Sequence, residues 1–189
     1  MTDILVIANR GQYNHRIYRT LKYLKVDARL LKNDISIEEV EKDGPKGIVI
    51  GGGPYLEETG YSEAILKRFY KEIPILGICL GHQLMARHFG GEIRTAEIGE
   101  YAGSTIFVDE EDDLLKALGP EFEAWVSHKD EVLTLPENFV KLAHSNTCDI
   151  EAMKHFTLPL FGVQFHPEVE HTPKGPEVFK NFLNICGLP

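Results

Sequence analysis

The sequence predicts a single three-layer α/β domain, residues 1–189, with a largely parallel central sheet and a smaller mixed or antiparallel sheet region. Three observations predict it. Through the first half, short apolar runs alternate with amphipathic stretches, the pattern of βαβ units whose strands are buried on both faces. From Gly91 onward the texture changes to shorter strand-like runs separated by turn residues, which suggests a mixed sheet edge. At 189 residues and 21.3 kDa the chain can enclose one full core and is too short for two ordinary catalytic domains. It carries no internal repeat and no linker-like stretch.

Residues 4–8 read as the first strand. Ile17, Leu21 and Leu24 then recur at helical spacing over residues 15–24, and residues 28–31 resume an extended pattern. Ser36 is placed to cap a short helix bearing Ile37 and Val40, with Glu39 at the capping-box position. Residues 47–50 form the next strand and run into Gly51-Gly52-Gly53-Pro54. A helix over residues 62–70 precedes the strand at 75–78, which delivers Cys79 and then a helix through Leu84 to Phe89. Beyond Gly91, strand-like runs cover residues 104–108, 140–143 and 150–153. The final strand, 160–165, ends in His166-Pro167-Glu168, and a helix over residues 175–185 follows. The chemistry-bearing residues thus fall at strand carboxyl ends, where open α/β sheets place their sites.

Composition narrows the function classes. Hydrophobic residues make up 43% and charged residues 26%, an ordinary globular balance. The net charge of −9 argues against a nucleic-acid partner, which needs clustered Lys and Arg. Small molecules or proteins are the expected partners. No apolar run approaches a membrane span, and Met1-Thr2-Asp3 leads into a strand pattern without a basic leader and cleavage site, so a cytoplasmic location is expected. Cys79, Cys148 and Cys186 are an odd set without CxxC spacing, pointing to reduced thiols rather than disulfides or a cysteine zinc site.

Gly77-Ile78-Cys79-Leu80-Gly81 sets a cysteine between glycines where a buried strand meets a helix. That is the thiol version of the strained elbow that exposes a nucleophile. A helix amino terminus and a nearby imidazolium favour the thiolate, the attacking species. The bland alternative, a buried structural cysteine, suits Cys148 and Cys186 better. His166 and Glu168, one proline apart, project to the same side in extended geometry. An imidazole serves as base and then acid near neutral pH, and a carboxylate fixes its tautomer. Alone, such a pair is more often a surface pair or a metal ligand set; its place at the end of the last strand, matched by a cysteine at another strand end, reverses that in favour of catalysis. No metal is expected, because the other histidines show no recognised ligand spacing around His166. Gly51-Gly52-Gly53-Pro54 suits backbone N–H donors for an oxyanion; a plain turn or a phosphate cradle competes, but no Walker lysine or complete GxGxxG follows.

Together the glycine loop, Gly77-Ile78-Cys79-Leu80-Gly81-His82-Gln83 and Gln164-Phe165-His166-Pro167-Glu168 resemble the class I, or triad, glutamine amidotransferases, in that family's order and over most of the chain. The resemblance implies a triad of Cys79, His166 and Glu168, oxyanion amides at Gly53 and Leu80, and glutamine contacts at Gly52 and Gln83. Gly51 departs from it, since many relatives have Ser there.

Four further segments resemble the amidotransferase part of GMP synthase: Gly11-Gln12-Tyr13 with His15 and Arg19, residues 125–132, residues 150–153, and Val169-Glu170-His171-Thr172 followed by Gly175. This likeness adds Ser127, His128 and Asp130 as substrate contacts. With the sequence ending at Pro189, it implies the separate-subunit, archaeal type of enzyme. Glutamine would be the substrate, and ammonia would pass to an ATP-pyrophosphatase subunit that aminates XMP. No cofactor is expected in this chain; ATP and Mg2+ would belong to that partner. The rival expectations are an amidotransferase subunit of an anthranilate or aminodeoxychorismate synthetase, a non-catalytic regulatory module, and a cysteine peptidase or γ-glutamyl hydrolase.

Overall fold

The computed structural model describes residues 2–189; Met1, the first residue of the segment expected to carry no leader, lies outside them. Among the described residues nine strands form one sheet: β1 (Ile4–Ala8), β2 (Ala28–Lys32), β3 (Gly47–Ile50), β4 (Ile75–Ile78), β5 (Glu92–Val108), β6 (Glu121–Thr134), β7 (Phe139–His144), β8 (Ala152–His155) and β9 (Leu160–Val163). Their order is β2-β1-β3-β4-β9-β8-β7-β5-β6. The pairs from β2 through β9 are parallel, and those from β9 through β6 are antiparallel. The antiparallel strands therefore extend the same sheet rather than form a second one.

The helices are α1 (Asn14–Tyr23), α2 (Ile37–Asp43), α3 (Ser62–Phe69), α4 (Leu80–His88) and α5 (Gly175–Ile185). Strands β1, β3 and β4 are near-continuous apolar runs because they are covered on both faces. Ile4, Val6, Val49, Leu76 and Ile78 pack with Ile17 and Leu21 of α1 and with Val178, Phe179 and Phe182 of α5. Leu5, Ile7, Ile48, Ile50 and Ile75 pack with Val40 of α2, Ile65 and Leu66 of α3, and Leu84 and Met85 of α4. Alternate residues of each strand thus feed opposite layers, giving the three-layer architecture. Helix α2, only seven residues long, is held by the expected capping box: Glu39 N–H donates to Ser36 Oγ, and Ser36 N–H to Glu39 Oε2. No helix among the described residues is long and apolar enough to cross a membrane.

The hairpin β5–β6 departs most from expectation. Strand β5 runs for 17 residues, not only over 104–108, and residues 125–132 lie on β6. Much of β5 is exposed, so it lacks an apolar period, and its register with β6 breaks between Thr95 and Glu100. In the middle of the sheet, β9 stops at Val163, short of the expected residue 165. The chain then swings away so that His166 bridges Trp125 of β6.

Candidate active site

Cys79 follows β4 and caps α4 with φ 53° and ψ −105°, a backbone conformation that costs strain in a non-glycine residue. Hydrogen bonds hold it there: Cys79 N–H donates to Val163 O at 2.8 Å, and Gln83 N–H to Cys79 O at 3.1 Å. The flanking glycines are explained by contact. A Cβ on Gly77 would lie 2.4 Å from Gly81 O, and one on Gly81 would lie 2.0 Å from Ile50 O. Only glycine lets the elbow and the end of β3 approach at backbone distance. The Cys79 thiol faces the Ser127 carbonyl at 3.9 Å.

Four contacts hold His166, two at its ring and two at its backbone. Its Nδ1 lies 2.7 Å from Glu168 Oε1, and both side chains are buried. Its backbone N–H donates to Trp125 O at 2.8 Å. The Thr172 hydroxyl donates to His166 O at 2.7 Å while accepting from Trp125 N–H at 2.9 Å, tying the segment to β6. Tyr13 packs edge-on, with ring centroids 4.9 Å apart. Between histidine and cysteine lies Gly52, whose added Cβ would sit 3.5 Å from His166 Cε1 and 3.7 Å from Cys79 Cβ.

Gly52, Gly53, Cys79, Gln83, Ser127, His128, Asp130, His166 and Glu168 all line one cavity of about 410 Å³. Leu80 is placed differently. Its side chain packs into the core beside α3, so only its amide, at the start of α4, is available to the site. The Gln83 amide nitrogen is already committed, donating to Asp130 O at 2.6 Å and Gln164 Oε1 at 3.1 Å. Its oxygen is the group left to meet a ligand. Asp130 accepts from the Thr95 hydroxyl at 2.6 Å. His128 is largely buried, with Nε2 3.2 Å from Glu100 Oε2 but without hydrogen-bond alignment. Sequence reasoning gave no role to Asn14, Tyr55 or Tyr101, which line the same cavity. The Gly11-Gln12-Tyr13 segment next to Asn14 was the available signal.

Residues 5–186 match the family described as glutamine amidotransferase class-I. The chain belongs to that family. It is 54% identical over 184 residues to a subunit of "GMP synthase [glutamine-hydrolyzing]" from Methanosphaera stadtmanae, covering 97% of this chain and 98% of the relative. The protein of the same name from Pyrococcus furiosus is 50% identical over 185 residues, with 97% and 98% covered. A crystal structure described as that of a GMP synthase subunit protein from Thermoplasma acidophilum superposes with a TM-score of 0.90 at 37% identity, over 99% of this chain and 94% of that one. A Thermotoga maritima glutamine amidotransferase superposes at 0.71 with 19% identity, covering 100% and 86%, and shares the fold.

The amidotransferase cavity is electrostatically polarised. Burial acts to deprotonate His166, but the Glu168 carboxylate and the Cys79 sulfur beside it prevail and raise its pKa well above 6.5. Burial wins at the two neighbouring histidines, lowering His82 to about 3 and His128 to about 4. It also pushes the Cys148 thiol up and Cys186 up to about 12, in keeping with structural roles for both. One group among the described residues has metal-ligand spacing: His128, Cys148 and Glu151, with donor atoms within 4.8 Å of one another. Burial raises Glu151 to about 8, so a cation there would have to displace protons from both the carboxyl and the thiol.

Proposed function

We propose that this chain is the glutamine-hydrolysing subunit of a two-subunit GMP synthase, with Cys79 as nucleophile, His166 as acid and base, and Glu168 as its orienter. The observation that carries the chemistry is a strained cysteine and a buried His–Glu pair facing one cavity. The acceptor is assigned from relatives named as glutamine-hydrolysing GMP synthase subunits, which match this chain almost end to end.

The Cys79 thiolate attacks the side-chain carbonyl of glutamine, forming a C–S bond and placing negative charge on oxygen. The amides of Gly53 and Leu80 receive that charge. Collapse of the tetrahedral species breaks the C–N bond while His166 protonates the departing nitrogen, releasing ammonia and leaving a γ-glutamyl thioester. His166 then takes a proton from water, which attacks the thioester; C–S cleavage frees glutamate and restores Cys79. Ser127 and Asp130 contact the substrate at the cavity wall, and the Gln83 oxygen accepts from the substrate amide. His128, largely buried, lines the same wall. Ammonia passes to a separate ATP-pyrophosphatase subunit, where ATP and Mg2+ activate XMP. The location is cytoplasmic, where the three free cysteines stay reduced.

The test is a glutamine-analogue electrophile followed by peptide mapping. Label should appear on Cys79 alone, and excess glutamine should protect it. Label on Cys148 or Cys186 with Cys79 unmodified would overturn the assignment.

A further inference from the structure

We infer that Asn14 is a positioning residue for the oxyanion hole, and that the glycine at position 51 exists to admit it. The inference rests on the oxyanion role proposed above for the Gly53 amide.

The Gly52–Gly53 peptide is held by its carbonyl. Gly52 O accepts from Asn14 Nδ2 at 2.9 Å and from Gly11 N–H at 3.1 Å. In a trans peptide the C=O and the following N–H point in opposite directions, and the chain contains no cis peptide bond among the described residues. Two donors fixing the Gly52 carbonyl therefore turn the Gly53 N–H the other way. That N–H has no acceptor among the described residues, and Gly53 lines the cavity shared with Cys79. A peptide flanked by two glycines flips easily unless something pins it. Asn14 pins this one.

The carboxamide orientation is forced. Asn14 Nδ2 meets two carbonyl acceptors, Gly52 O and, at 3.1 Å, Gly11 O. Only the nitrogen end can serve both, which aims Oδ1 at residue 51. There a Cβ would lie 1.9 Å from Asn14 Oδ1 and 3.0 Å from its Cγ, well inside contact distance. Glycine at 51 leaves the space that the carboxamide fills, although Oδ1 is buried without a partner. Asn9 holds the adjoining peptide, donating through Nδ2 to Gly51 O at 3.0 Å while Ser62 Oγ donates to Asn9 Oδ1 at 2.7 Å. A side chain at position 51 thus bears on the oxyanion amide through Asn14, not directly.

The test compares wild type, Asn14→Ala, Gly51→Ala and the double variant, each with the XMP-aminating subunit, its substrates and glutamine. Two reactions of Cys79 are followed: glutamate release, which passes through an oxyanion, and alkylation by iodoacetamide, which does not. Asn14→Ala should lower kcat about 10- to 100-fold, less than removal of an oxyanion donor itself. KM for glutamine should stay within about threefold and the alkylation rate and its pH profile within about twofold, as expected for loss of transition-state contacts alone. Gly51→Ala should give a similar loss, and the double variant should be no worse than Asn14→Ala, because both substitutions act through one side chain. If Asn14→Ala does not fold, Gly51→Ala carries the same kcat and alkylation expectations alone. The inference is overturned by a kcat within about threefold of wild type, by alkylation falling in step with kcat, or by fully additive losses. Failure of the underlying mechanism looks different: wild-type glutamate release would survive Cys79→Ala.

Discussion

Glu168→Gln separates orientation of the imidazole from attack on the substrate. The carboxylate lies 2.7 Å from His166 Nδ1 with both side chains buried, so water cannot replace it. A hydrogen bond to a charged partner contributes about 1.5–3 kcal/mol, or about 10- to 100-fold in rate if it acts on the imidazolium. A glutamine can also offer its amide N–H to Nδ1 and hold the wrong tautomer, extending the loss to about 10⁴-fold. Turnover should therefore fall by at least about 10-fold and by up to about 10⁴-fold while His166 stays anchored to Trp125 through its backbone. The His166 pKa should fall as well, since burial is the largest influence on it and would meet one less opposing charge. Because the folded-state pKa lies above the ordinary value of about 6.5, the pair contributes stability that is full below that pH and lost as pH rises through the folded pKa. The melting difference between wild type and variant should thus shrink toward alkaline pH. Glutamate release and iodoacetamide alkylation measured from acid to alkaline pH, beside thermal melts, test both. Turnover within tenfold of wild type and an unshifted profile would refute the reasoning; a loss as complete as that of Cys79→Ala would give Glu168 a direct role.

Gly81→Ala should destabilise the fold by about 1–3 kcal/mol, because its Cβ would meet Ile50 O at 2.0 Å, and should lower Tm by several degrees in a melt; an unchanged Tm would discount the contact. Glu151→Gln should stabilise the protein increasingly as pH rises from about 4.5 to about 8. Burial lifts the carboxyl to about 8, so the folded state holds a proton that the unfolded state has lost across that window. The difference is bounded on the order of 5 kcal/mol, and denaturation at the two ends of the range measures it; a constant gap would contradict it.

The parallel half of the sheet was legible because β1, β3 and β4 are buried on both faces and read as unbroken apolar runs. The same burial made Gly77-Ile78-Cys79-Leu80-Gly81 conspicuous, since glycines in such a place mark backbone contact. The hairpin β5–β6 was hidden because solvent meets much of it and residues between Thr95 and Glu100 break its register. Ser127 and Asp130, singled out through resemblance rather than period, nonetheless line the cavity. Asn14 escaped notice because its work lies in two carbonyl contacts, one of them 38 residues away in sequence, and no local pattern encodes them. The neutral state of His128 likewise depends on burial by distant segments.

The most direct test of the central claim is transfer of label from amide-15N glutamine, with unlabelled ammonium in the bulk, in a mixture of this chain, an XMP-aminating ATP-pyrophosphatase subunit, ATP, magnesium and XMP. 15N should enter GMP only when both chains are present, and no label should appear with Cys79→Ala, while added ammonia still supports the partner alone. Unlabelled GMP from the wild-type pair, alongside efficient 15N transfer to an anthranilate-type synthetase, would contradict the GMP assignment and leave only the glutaminase standing.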